Sequence, residues 1–299
     1  MRSKLAAAVL AALLCAPALA DEVPAGKAGE VQFLQSLNYR TGDVALADAG
    51  ATLHVQPGFR YLDHDDARKV LEQYWGNPPD DSVLGLLVPD QAGLGADHSW
   101  AVVVTYTDEG HVSDEDAAKV DYDQLMKEMK EASADENAER KEQGYSEVDI
   151  VGWAQPPRYD AAGKRIYWAR ELDFRQAAAH TLNYDIRVLG REGYLSMNAV
   201  ADMADMGRVQ AGMAQVLPMA EFDTGHRYAD YKPGSDKLAA YGLAALVGGG
   251  IAAKAGLFAK LGVFLLAFKK VIVAGVVAVG AVAKKFFTGK DKPDGGTAA

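Results

Sequence analysis

From Leu238 to Ala283 the chain runs for 46 residues with four lysines (Lys254, Lys260, Lys269, Lys270) as its only charges and no acid. In an otherwise acidic chain, this points to a body outside a membrane and a tail within one. A bilayer core about 30 Å thick needs roughly 20 apolar residues per helix, and the uncharged run 238–253 is slightly short. Three topologies compete. One helix from about Leu246 to Phe268 carries Lys254 and Lys260 inside it, at about 2.5–3.5 kcal/mol each if central. It ends at Lys269-Lys270, on the cytoplasmic side that the positive-inside rule prefers. Two passes with those lysines at the turn are the alternative. A surface helix is the weakest reading, because the four lysines form no single polar stripe at 100° per residue. One span is favoured. Residues 237–285 are therefore expected to be the membrane anchor, and residues 286–299 a disordered tail of Gly, Lys, Asp and Pro character.

The other end agrees. Met1-Arg2-Ser3-Lys4 is a basic n-region, Leu5–Cys15 an apolar stretch too short to span, and Ala18-Leu19-Ala20 a cleavage site. Residues 1–20 are expected to be a secretory signal. Leu14 before Cys15 argues against a lipoprotein. Cys15, the sole cysteine, leaves with the signal, so the mature chain is expected to hold no disulfide, thiol nucleophile or cysteine metal site.

Residues 21–236 carry 20 Lys+Arg against 39 Asp+Glu, a net charge of −19, whereas residues 237–299 carry 9 Lys against 2 Asp, a net of +7. The acidic body is repelled by phosphates, which excludes nucleic acid as a partner. The basic tail suits an anionic cytoplasmic leaflet.

Along the body, residues 21–30 read as a loose start. Val44–Ala47, Thr52–Val55 and Phe59–Leu62 read as strands, and Pro57-Gly58 as a turn. Asp63 is placed to cap a helix through Tyr74. Val83–Val88 and Trp100–Thr107 follow as strands. A helix is expected over Tyr122–Gln143, capped by Asp121 and stopped by Gly144, with its polar half beyond Ala132 projecting into solvent. Strand-like runs cover Glu147–Ala154, Arg165–Phe174, Thr181–Leu189 and Gly193–Met197, with residues 156–163 as a hairpin loop. Val200–Leu217 reads as a helix whose Met203, Met206 and Met213 fill a core. Pro233-Gly234-Ser235 reads as the break before the membrane. The sum is one α+β domain over residues 21–236, a mostly antiparallel sheet with about three packed helices, followed by a transmembrane tail.

Several short stretches occur in a recognisable order. They are Gly152-Trp153, Pro157-x-Tyr159, Trp168, Asn183-Tyr184-x-x-Arg187-x-Leu189-Gly190-Arg191-x-Gly193, Gly225-x-x-Tyr228 and Tyr231-x-x-Gly234-x-Asp236-Lys237-x-Ala239-Ala240-Tyr241-Gly242-Leu243. Over roughly residues 40–285 the chain resembles DUF2167, a bacterial family of membrane-anchored proteins of unknown function. The resemblance implies an envelope-facing protein held in the inner membrane with its domain in the periplasm. It brings no activity, substrate or catalytic residue. It also implies an aromatic after Gly110, where this chain has His111.

No G-x-S-x-G elbow, P-loop or metal-spaced histidine pair occurs, and no cofactor or metal is expected. His98 and Ser99 are adjacent and point to opposite faces of a strand. Seven carboxylates (Asp108, Glu109, Asp114, Glu115, Asp116, Asp121, Asp123) lack the spacing of an EF-hand loop, and part of the set reads as helix caps. An aromatic and basic set (Trp153, Arg158, Tyr159, Trp168, Arg187, Arg191) is the candidate binding region, a groove whose arginines meet carboxylates. The favoured function is a non-enzymatic module that binds an envelope protein partner or organises a complex. The alternative is a hydrolase or transferase whose site assembles only in three dimensions.

Overall fold

The computed structural model describes residues 27–249 apart from 78, 97, 143–145 and 176. In chain order, α1 (Lys27–Gln35) leads to β1 (Gly42–Leu46), β2 (Ala51–Val55), β3 (Phe59–Asp63) and α2 (His64–Arg68). A π-helical stretch, Lys69–Tyr74, continues α2. Next come β4 (Val83–Pro89), β5 (Val102–Thr107), β6 (His111–Ser113), α3 (Tyr122–Glu142), β7 (Val148–Asp160), β8 (Arg165–Phe174), β9 (Thr181–Leu189) and β10 (Tyr194–Asp202). The described chain closes with α4 (Met206–Val216), β11 (Ala220–Phe222), β12 (Leu238–Gly242) and α5 (Leu243–Gly248).

Period-two alternation builds the main sheet. Seven strands pair antiparallel in the order β3-β4-β5-β10-β9-β8-β7. One face packs Leu182, Tyr184, Ile186, Leu195, Met197 and Ala199 against the three-stranded sheet β1-β2-β11 and against Val209 and Met213 of α4. The opposite face carries three separate apolar clusters, the smallest made of Val148, Leu172 and Phe174. Leu62, Leu86 and Val103 pack with Ala67, Val70 and Leu71 of α2 and its π-helical extension. Ile166, Trp168, Leu189 and Tyr194 pack with Leu125 and Met129 of α3 and with Leu243, Leu246 and Val247 of α5. An antiparallel α+β domain is thus what the alternation and the three helical patterns specify. The helices expected near residues 63–74, 122–143 and 200–217 all have counterparts, and α1 and α5 add to them.

The details move several boundaries. Lys27–Glu30 belongs to α1 and is no loose start. β7 runs straight through Pro156 and Pro157 to Asp160. It does so because β7 is an edge strand with register shifts between Ile150 and Arg158, and edges and bulges are where a missing N–H is tolerated. β10 pairs with β9 as far as Asp202↔Thr181, so α4 starts only at Met206. The polar half of α3 does not project into solvent. Asn137 is buried, and its amide reads the backbone of β7: Val148 N–H donates to Asn137 Oδ1 (2.7 Å) and Asn137 Nδ2 donates to Val148 O (3.1 Å).

The largest shift concerns the tail. Residues 238–248, assigned to the anchor by their hydropathy, are part of the folded domain. β12 lies parallel to β6, and Leu243, Leu246 and Val247 are buried. Among the described residues no helix is long and apolar enough to cross a membrane. Residues 250–285 of the expected anchor, the signal 1–20 and the tail 286–299 lie outside the described residues.

Candidate functional site

The six side chains singled out by composition do not converge into one groove. Trp153 donates its indole N–H to Tyr122 O (3.1 Å), tying β7 to α3. Arg158 is exposed and registers with Tyr167, on the face opposite Trp168. Tyr159 donates its hydroxyl to Asp114. Arg191 makes a two-pronged pair with Asp236 (2.6 and 2.9 Å) and donates to Gly225 O. Trp168 and Arg187 meet, with the guanidinium carbon 5.3 Å from the indole ring centre, and Trp153 and Tyr159 pack on the apolar cluster that includes Trp168.

Trp168 and Arg187 open onto a buried polar cluster in the middle of the sheet, between the apolar clusters on that face. The register puts Trp168, Asp185 and Asn198 in one row across β8, β9 and β10, with Arg170 beside Asn183 and Arg187 beside Ser196. All of these are buried. Asp185 is the hub. Arg170 Nη2 reaches its Oδ2 at 3.2 Å, Arg187 Nη1 reaches its Oδ1 at 2.9 Å, and Asn198 Nδ2 donates to Oδ1 at 2.8 Å. Arg170 also donates to Asn183 Oδ1 (2.8 Å), and Arg187 to Ser196 Oγ. Burial lowers the Arg170 pKa, partly offset by the Asp185 charge and reinforced by Arg187.

Charge and hydrogen bonding are both incomplete here. Two guanidiniums share one carboxylate. Among the described residues, Arg170 Nε, Arg187 Nε, Trp168 Nε1 and Asn198 Oδ1 are buried without a partner. Burying a charge or a donor without compensation costs free energy, so native interiors rarely gather several such atoms in one place. Pattern reading missed Arg170, Asn183, Asp185, Ser196 and Asn198. The available signal was Asn183-x-Asp185-x-Arg187 beside Ser196-x-Asn198, polar residues that register across two strands. Alternation alone reads such a set as a solvent face.

The carboxylates of residues 108–123 serve mostly one at a time. Asp114 accepts from Lys164 Nζ (2.6 Å), Tyr228 OH (2.9 Å) and Tyr159. Burial raises its pKa, but these hydrogen bonds and the Lys164 charge outweigh it and hold the carboxyl down at about 2. Glu109 accepts from Tyr241 OH (2.6 Å), Asp116 from Leu243 N–H, and Asp121 caps α3. Among the described residues no three His, Cys, Asp or Glu side chains group to hold a metal. His111, standing where the resemblance implies an aromatic, stacks on Tyr231 (centroids 3.9 Å, 10°) and on Tyr228 (4.2 Å). Burial lowers its pKa, which keeps the ring neutral and aromatic-like at pH 7.

Fold and site together define an antiparallel α+β domain with a charged cluster at the centre of the sheet face that packs α2, α3 and α5. The chain belongs to the protein family of unknown function DUF2167, whose model matches residues 38–280. No curated protein matches it. Among solved structures it is distantly similar to the cyanobacterial PsbP protein CyanoP from Synechocystis sp. PCC 6803 (9% identity, 62% of this chain and 92% of that one, TM-score 0.32). It is similarly distant from the Saccharomyces cerevisiae Ran-binding protein Mog1p (12% identity, 64% and 98%, TM-score 0.33).

Proposed function

We propose that this chain is a membrane-anchored envelope protein whose domain faces the periplasm and binds rather than catalyses. One observation carries the binding reading: the central cluster is built from recognition groups. Arginine stays protonated across the physiological range and cannot shuttle protons. Ser196 Oγ accepts a hydrogen bond from Arg187, and among the described residues no base bonds to it as the activating partner that a nucleophile needs. Asp185 is committed to two arginines and an amide. The secretory signal and the apolar run beyond residue 249 support the placement, with the bilayer as one partner and an envelope protein as the other. In-cell crosslinking of the full-length protein, with a reagent that enters the periplasm but does not cross the inner membrane, tests both parts. A reproducible envelope partner supports the reading. An unlabelled domain overturns its placement, and a labelled domain without a partner overturns the adaptor role.

A further inference from the structure

We propose that the cluster formed by Trp168, Arg170 and Arg187 is a binding site for a small monocarboxylate with a short apolar body. The inference rests on the binding reading above and names its ligand class.

Charge sets the valence. Among the described residues Arg170 and Arg187 pair with Asp185 alone, so the cluster carries one surplus positive charge in a buried setting. A carboxylate brings the set to neutrality, whereas a dianion such as sulfate leaves it negative. Donor geometry sets the group. Arg187 uses only Nη1 toward Asp185 and Ser196, and its Nε is buried and unpartnered. The edge of the guanidinium that contains Nε is one that grips a carboxylate with parallel N–H bonds. The indole N–H of Trp168, whose ring lies under Arg187, and the Nε of Arg170 are unpartnered as well. Three buried donors are thus left unpaired in a cluster that lacks one anion's worth of charge.

Access sets the size. The side chains of Arg170 and Arg187 keep 7% and 8% exposure, so a protein surface cannot reach them and a small molecule is the fitting source. The neighbours set the body. On the same sheet face, Val103 registers with Asn198, Val200 with Asn183 and Leu172 with Thr181, and all three apolar side chains are buried. A chain of a few carbons suits them better than a polar one.

The test is a melting-temperature titration of the full-length protein in detergent micelles with butyrate, acetate, sulfate and inorganic phosphate, at constant ionic strength. Butyrate is expected to raise the midpoint saturably, as a ligand of the folded state does, and at lower concentration than the other three. Trp168→Phe keeps an aromatic ring and removes the indole N–H together with its five-membered ring, and should weaken butyrate about tenfold. Arg187→Lys should weaken it further, since a point charge cannot replace the fork. Arg158→Ala, on the opposite face, should leave the response unchanged. No saturable response to butyrate overturns the site. Sulfate or phosphate acting at lower concentration than butyrate overturns the ligand class. A response that Trp168→Phe leaves intact overturns the location, and this variant serves even where Arg187→Lys fails to fold. A captured envelope partner with no butyrate response removes the carboxylate site alone, so the two readings fail separately.

Discussion

Asp185 holds two guanidiniums and an amide in a buried row, so its charge is hard to replace. Breaking a buried charge pair from one side leaves an uncompensated charge and costs about 3–5 kcal/mol. Asp185→Asn is expected to lose that much in urea denaturation, while Asp223→Asn, an exposed acid that accepts from Thr52, loses under about 1 kcal/mol. Asp114 behaves differently because solvent reaches part of it. Its folded pKa of about 2 lies below the usual 3.8, so the stability it confers is complete above about pH 4 and is lost as pH falls toward 2. The amount is on the order of 2 kcal/mol. In Asp114→Asn the denaturation midpoint should change less between pH 4 and pH 2 than in the parent. The residue scale is also where the sequence was hardest to read. Trp168 and Arg187 stood out by type, but the partners that give them meaning arrive from a neighbouring strand through register. Tyr159 and Arg191, chosen for the same groove, are consumed by Asp114 and Asp236, which lie 45 positions away from each.

Helices and strands were largely legible, because burial on one face writes a period into the chain. α2, α3, β4, β5, β8 and β9 follow their patterns to within a few residues. Failures came where backbone pairing, not hydropathy, decides. Asn137 is an example: a polar residue in a polar half-helix, which acts as a local extension of the β7 edge by bonding both backbone groups of Val148. Asn137→Ala leaves the Val148 N–H buried and unmatched, while Val148 O keeps the hydroxyl of Ser133 (2.8 Å). It should cost about 2–3 kcal/mol in chemical denaturation, with faster hydrogen exchange at the Val148 amide than at the Leu172 amide. β7 itself escaped detection beyond Ala154 because two prolines signal a loop, and only the strand's position at the sheet edge makes them admissible.

For the molecule as a whole, the division between domain and tail falls later than hydropathy places it. Pro233-Gly234-Ser235 has the composition of a linker, yet Asp236 beside it is clamped by Arg191 and by the Lys232 amide. β12 then pairs with β6, where Gly110 at φ +104° lets the backbones approach; a Cβ there would sit 2.8 Å from Lys237 O. A chain ending at Gly249 is expected to melt cooperatively near the full-length temperature. One ending at Ser235 loses Ala239, Leu243, Leu246 and Val247 from the cluster around Trp168, and should show a lower, broader transition and expose apolar surface to a hydrophobic dye. A scale of hydropathy cannot separate the two cuts, since a buried helix and a membrane helix present the same residues.

That late boundary fixes how a load at Gly249 would enter the domain. Length between two bodies comes from chain that is free to extend, at most about 3.5 Å per residue, and residues 232–248 contribute none of it, being bonded into the domain from the Lys232 amide to α5. A pull applied at Gly249 therefore passes through α5 into the β6–β12 ladder, with no slack between Lys232 and Gly248 to absorb it.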